Sequence, residues 1–128
     1  MAFLGATLES GIRLLAQQLA LPERIRRCDL IVTGEGRLDE QSAMGKVVGA
    51  VLEQAICAQK PLLILCGQVT PAARTWLAAQ PLPLRVGALC DRIPDVAEAQ
   101  RQAGHHLEQM AAQELRDFLE QGAGMGRL

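Results

Sequence analysis

The sequence predicts an α/β domain in three layers, a mostly parallel sheet flanked by helices. Three observations carry that expectation. Leu30–Thr33, Leu62–Leu65 and Leu84–Leu89 are short apolar runs that read as buried strands. Segments with a helical period lie between them, and no two-residue hairpin turn joins any pair. Strands that alternate with helices pair in parallel through right-handed crossovers.

The elements follow in order. Leu4, Leu8, Ile12, Leu15 and Leu19 recur at spacings of three and four, which predicts an amphipathic helix ending before Pro22. Glu23–Arg27 predicts one basic, solvated helical turn. After the first strand comes a turn-rich segment, Gly34-Glu-Gly-Arg37. Val48, Val51, Leu52, Ala55 and Ile56 then predict a helix that Lys60-Pro61 ends. Thr70 followed by Pro71 is a helix start, with the hydroxyl as cap and proline at the first helical position. Trp76 is expected to pack within that helix. Asp95 and Glu98 resemble a capping box. A stripe from Ala99 through Leu107, Met110, Leu115 and Phe118 predicts one long helix capped at Gly122, with Gly104 inside it. Residues 123–128 are expected to fray.

The 128 residues suit a single domain over 1–128, and 49% hydrophobic with 21% charged residues excludes a disordered chain. Thirteen basic and 14 acidic residues leave a net charge of −1, no field for nucleic acid. Phe3, Trp76 and Phe118 are too few for base-stacking platforms. No apolar run approaches the roughly 20 residues of a membrane span, and the first residues lack the basic start of a secretory signal. Cys28, Cys57, Cys66 and Cys90 form no CxxC pair, so zinc is not expected. They read as reduced, largely buried thiols of a cytoplasmic protein.

Ligands of parallel sheets bind beyond the carboxyl ends of the strands. Three loops are expected there: Thr33–Met44, Gly67–Thr70 and Asp91–Asp95. The first is the richest. Gly34 and Gly36 flank Glu35 and allow close backbone approach to a ligand. Glu35, Asp39 and Glu40 offer oxygen ligands for Mg²⁺. Arg37 and Lys46 can neutralise phosphate or carboxylate, and Gly45-Lys46 opens a helix, whose start favours anions. A polar strand-to-helix turn with an Arg37–Asp39 ion pair is the plainer alternative. The segment is not a P-loop, because Glu40 stands where its first glycine belongs and Val47 follows the lysine. It is not a dinucleotide fingerprint either, because Asp39 replaces the third glycine. Asp91 and Arg92 are further candidates for the same cleft. His105 and His106, adjacent on a helix, point about 100° apart and do not readily share a metal.

Asp29-Leu-Ile-Val-Thr-Gly-Glu-Gly-Arg-Leu-Asp-x-Gln-Ser-x-x-Gly-Lys46 closely resembles the signature block of the bacterial glycerate kinase family. Ala2-Phe-Leu-Gly-Ala-Thr-Leu-x-x-Gly-Ile12 is similar to the helix before that block, and Lys60–Gly67 to the next strand and its glycine turn. Val48 replaces a usual proline, and Cys66 a usual small residue. The resemblance implies a flavodoxin- or Rossmann-like part of the glycerate kinase fold, and a chain that corresponds to the C-terminal portion of the enzyme. It implies transfer of the γ-phosphoryl of ATP to a hydroxyl of glycerate, with Mg²⁺. Under it, Asp39 accepts the hydroxyl proton or holds the metal, with Glu35 as the other metal candidate. Arg37 and Lys46 bind carboxylate or phosphate. Gly34, Glu35, Gly36, Gln41 and Ser42 contact substrate. The expected partners are glycerate, ATP, and either the rest of the enzyme or a second copy of the chain. The alternative is a remnant without catalysis, or a small module that binds an anion or a partner.

Overall fold

A computed structural model describes residues 10–41 and 47–124. The elements are α1 (Gly11–Gln18), α2 (Leu21–Arg27), β1 (Ile31–Leu38), α3 (Val47–Ala58), β2 (Leu62–Val69), α4 (Pro71–Ala78), β3 (Leu84–Ala88), a 3₁₀ turn (Leu89–Asp91), α5 (Val96–Arg101) and α6 (Ala103–Gly124). The strands form one parallel sheet in the order β1-β2-β3, as the alternation of elements predicts. Ile31 stands opposite Leu62, and Leu62 opposite Leu84, so the amino ends are level.

Both crossovers step in the same direction, and right-handed connections therefore carry α3 and α4 to one face of the sheet. Leu62, Ile64 and Cys66 of β2 form the core there with Ile31, Ala88, the α3 residues Val48, Leu52 and Ala55, and Leu77 of α4. Leu62 and Ile64 have no exposed surface, and burying each contributes about 1.5–3 kcal/mol. On the other face α6 lies over β2 and β3, where the side chains of Glu114 and Leu65 both crowd Gly87 and Met110 is fully buried. The result is helix, sheet, helix.

Local chemistry sets the helix starts. The Thr70 hydroxyl accepts the Ala73 N–H at 3.2 Å, with Pro71 opening α4. The Asp95 carboxylate accepts from Ala97 and Glu98 N–H at 2.9 and 3.2 Å. Glu98 pairs with Arg101 at 2.6 Å instead of reaching back to complete a capping box. α3 stops where Gln59 turns to φ 53°, and the Lys60 N–H then closes onto the Ala55 carbonyl at 2.9 Å.

Several expectations change. Gly34–Arg37 is the second half of β1, not a turn, and β2 runs through Gly67 to Val69. Both strands outlast their apolar runs because each pairs with the other along its full length. Ala20, at φ 49°, breaks the first helix from α2, and α1 ends at Gln18. Leu4 and Leu8 lie outside the described residues. Leu15 is 58% exposed, so the apolar stripe of α1 is uncovered. The terminal helix is broken at Gln102, where ψ swings to 33°, and α6 runs past Gly122 to Gly124. Trp76 is 39% exposed, not packed, because it lies on the solvent side of α4. Cys66 is buried, Cys28 and Cys90 half-buried, and Cys57 exposed, so the thiols are less buried than expected. Arg26 and Arg27 each pair with Glu23 at 3.3 Å on the solvated face of α2. Among the described residues no helix is long and apolar enough to cross a membrane.

Candidate functional site

The carboxyl ends of the strands fall at Leu38, Val69 and Ala88. Beside them a cleft of about 460 Å³ opens between the sheet and the α5 segment. Its floor is Gly36 and Arg37 of β1 and Gly67 and Gln68 of β2. Its wall is Leu89 and Cys90 of the 3₁₀ turn, Ile93, Val96, Ala99 and Gln100, closed by Ala103 at the start of α6.

The glycines make this floor, each in its own way. A Cβ at Gly34 would stand 2.9 Å from the Leu65 carbonyl oxygen, and one at Gly67 would stand 2.7 Å from that of Gly36. These two residues permit the close approach of β1 and β2. A Cβ at Gly36 would meet nothing within 4 Å, so this position opens into the cleft. Alternation along β1 points the same way: Ile31 is buried, Val32, Gly34 and Gly36 are exposed, and the phase breaks at exposed Arg37 and buried Leu38.

The other expected site residues are spread around this floor. Gly36 and Arg37 line the cleft together. Glu35 lies in the sheet opposite Cys66, and its Oε1 accepts the Gly36 N–H at 3.0 Å. Asp39 is half-buried just past β1, and Gln41 is exposed. Glu40 accepts from the Thr70 hydroxyl at 3.3 Å, while the Thr70 N–H donates to the Leu38 carbonyl at 3.0 Å, tying the two strand ends together. Ser42 and Lys46 lie outside the described residues. Asp91 and Arg92 do not line the cleft. Asp91 pairs with Arg74 at 2.7 Å, and Arg92 with Glu114 at 2.8 Å. His105 contacts Gln109 at 3.0 Å, and the His106 Nε2 is buried without a hydrogen bond among the described residues.

Among the described residues no three His, Cys, Asp or Glu side chains converge as a metal cluster. Mg²⁺ needs fewer protein ligands, since it is held by one or two carboxylates together with substrate phosphates and waters. One oxygen of Glu35 and one of Glu40 already accept hydrogen bonds, which leaves each with a second carboxylate oxygen.

Two cysteines near the cleft differ in character. Burial pushes the Cys66 thiol up to about 12, Cys90 and Asp91 add to this, and Arg74 opposes it. Cys66 therefore stays protonated and donates to the Gly87 carbonyl at 3.5 Å. Cys90 lines the cleft. A larger groove, about 860 Å³, joins α4, β3 and the end of α6, but no described residue from Thr33 to Gln41 lines it. Gln68, Gln100 and the apolar wall were not singled out from the sequence. The local signals were the Gly67-Gln68 pair after a pure apolar run and the expected position of the loops Gly67–Thr70 and Asp91–Asp95, which hold Gln68 and Ile93, at this edge.

With this geometry in view, the sequence model of the glycerate kinase family matches residues 1–119. The chain belongs to the glycerate kinase family. It is 47% identical over 70 residues to a glycerate 2-kinase of Escherichia coli K12, covering 55% of this chain and 18% of that protein. It is 31% identical over 111 residues to a glycerate kinase of Halalkalibacterium halodurans, covering 86% of this chain and 28% of that protein. A glycerate kinase of Bacillus cereus is 39% identical over 70 residues, 55% of this chain and 18% of the relative. The chain thus spans less than a third of the length of these glycerate kinases.

Proposed function

We propose that this chain forms part of a glycerate kinase, in which ATP and Mg²⁺ support phosphoryl transfer to a hydroxyl of glycerate. The observation that carries the reading is a cleft at the carboxyl edge of the sheet, floored by Gly36 and Arg37, in a member of this family. In the reaction the glycerate hydroxyl oxygen bonds to the γ-phosphorus as the bond from that phosphorus to the β,γ-bridging oxygen breaks, and ADP leaves. The hydroxyl proton passes to a base, for which Asp39, just past the carboxyl end of β1, is the candidate. Arg37 neutralises charge on the transferring phosphoryl or on the glycerate carboxylate, and Lys46 and Ser42 add charge and a hydroxyl from the same segment. Glu35 and Gln41 are polar contacts, and Gly34 and Gly36 shape the floor. Mg²⁺ would be held by Asp39 or Glu35 and would screen the phosphate charge.

A partner completes the site in this reading, either the remaining length of a glycerate kinase or a second copy of the chain. The test is a phosphorylation assay with ATP and glycerate, run on the chain alone and with the remaining glycerate kinase polypeptide added. Little or no turnover alone and restored turnover on addition are expected. In the restored enzyme, Asp39→Asn should lower kcat by about 10²–10⁴, the scale of a lost general base. Near-normal kcat would remove Asp39 from the chemistry, and robust turnover by the chain alone would remove the need for a partner.

A further inference from the structure

We infer that the cleft at the carboxyl edge of the sheet is the subsite for the adenine nucleoside end of the phosphoryl donor, not for the small acid acceptor. The inference rests on the glycerate kinase reading and assigns one part of the reaction to one wall of the site.

Wall chemistry comes first. Leu89, Ile93, Val96 and Ala99 offer no hydrogen bonds, and Val96 is 46% exposed at the cleft. Glycerate carries a carboxylate and two hydroxyls on three carbons, so it could pair with polar groups at the floor but has no apolar surface to set against this wall. A purine has apolar faces that suit an aliphatic wall and a polar rim that does not. At about 460 Å³ the cleft has the size of a small-molecule pocket, which spans about 300–1,000 Å³.

The floor agrees. Gly36 presents a bare backbone with open space where a Cβ would stand, which leaves a flat ring free to lie against the strands. Polar recognition is available from Gln68 and Gln100, which line the cleft and make no side-chain hydrogen bond among the described residues. A carboxamide both donates and accepts, the pattern that matches an adenine amino group beside a ring nitrogen. Arg37 at the floor places positive charge next to this subsite, toward which a polyphosphate would run.

The test is binding to the intact chain, read by amide shifts in NMR and by the alkylation rate of Cys90. Exposed Cys57 on α3 provides an internal control. Adenosine and ATP should shift the amides of Gly36, Gly67 and Ala99 and slow alkylation of Cys90 but not of Cys57, while glycerate does neither. Gly36→Val, which puts a side chain into open space, should weaken adenosine binding by about tenfold or more. Val96→Asp, which puts a charge on a solvent-reached wall at the first turn of α5, should act in the same direction without unfolding the chain. Protection of Cys90 by glycerate in place of adenosine would overturn the inference and leave the kinase reading intact. No response to adenosine up to ~10 mM, or equal binding by the Gly36→Val and Val96→Asp variants, would also overturn it. Adenosine binding in a chain that supports no phosphoryl transfer with its partner would uphold the subsite and sink the kinase reading.

Discussion

Gly34, Gly36 and Gly67 lie within one small patch of sheet, and their surroundings demand different things of them. At Gly34 and Gly67 a methyl group would press on a backbone carbonyl oxygen, at 2.9 and 2.7 Å, and a carbonyl in a paired strand cannot swing away. Gly34→Ala and Gly67→Ala should therefore each destabilise the fold by about 1–3 kcal/mol, the range for forced overpacking. Gly36→Ala meets nothing and lies at no left-handed φ, so it should be neutral or stabilise by about 0.4–1 kcal/mol by restricting the unfolded chain. Urea midpoints of the three variants decide the matter, and equal destabilisation by all three would refute the distinction. From sequence, two glycines around an acid suggest access for a ligand. Only Gly36 opens to the cleft. What Gly34 faces is a carbonyl 31 positions later in the chain, and no local pattern records that distance.

At the scale of elements, α6 is fastened to the sheet by charge as well as by apolar packing. Glu114 is buried between Arg85 of β3 and Arg92 of the following loop, and Arg85 also reaches Asp117 at 3.0 Å. Burial alone would raise the Glu114 carboxyl, but the hydrogen bonds and charge of the two guanidinium groups outweigh it and hold it below its ordinary 4.5. A carboxyl lowered in the native state binds its proton more readily when unfolded. Its stabilising contribution is therefore complete above about pH 4.5 and fades as the pH falls through the lowered native value. Glu114→Gln should lower stability at neutral pH by about 1–3 kcal/mol, and the difference should close in acid. Denaturation midpoints of both proteins between about pH 7 and pH 3 provide the check. A constant difference across that range would show that the carboxylate charge is not what holds α6. Element starts were legible because caps are local: Thr70-Pro71 and Asp95 each carry their own signal within three residues. Strand ends were not, since pairing with β2 keeps Gly34–Leu38 extended where glycine chemistry suggests a turn. The candidate site divided in the same way. Arg37 and Gly36 were visible in the signature block, but the wall that faces them comes from residues 89–103, brought over by the break at Gln102.

For the whole molecule, the sheet has two outer strands and an uneven cover. α6 lies over β2 and β3, and on its side of the sheet Val32 of β1 is 54% exposed. β1 is eight residues long and pairs only with β2 among the described residues, so its outer edge offers unpaired backbone donors and acceptors. Leu15 on α1 and Leu119 on α6 are each 58% exposed, which adds apolar surface of the kind that marks interfaces. An exposed edge strand beside apolar surface drives pairing with another chain. The isolated chain should therefore associate with itself, with a sedimentation coefficient that rises with concentration. Val32→Lys places a charge on that strand without touching the core, so it should return the chain to monomer. Its urea extrapolation in dilute solution should stay within about 0.5 kcal/mol of the parent, as for other surface changes. A parent that stays monomeric at every concentration would mean that β1 is protected by something other than a partner. A Val32→Lys chain that still associates would move the contact to the stripes of α1 and α6. A partner supplying the remaining length of a glycerate kinase should then compete with self-association, because both would draw on the same uncovered strand.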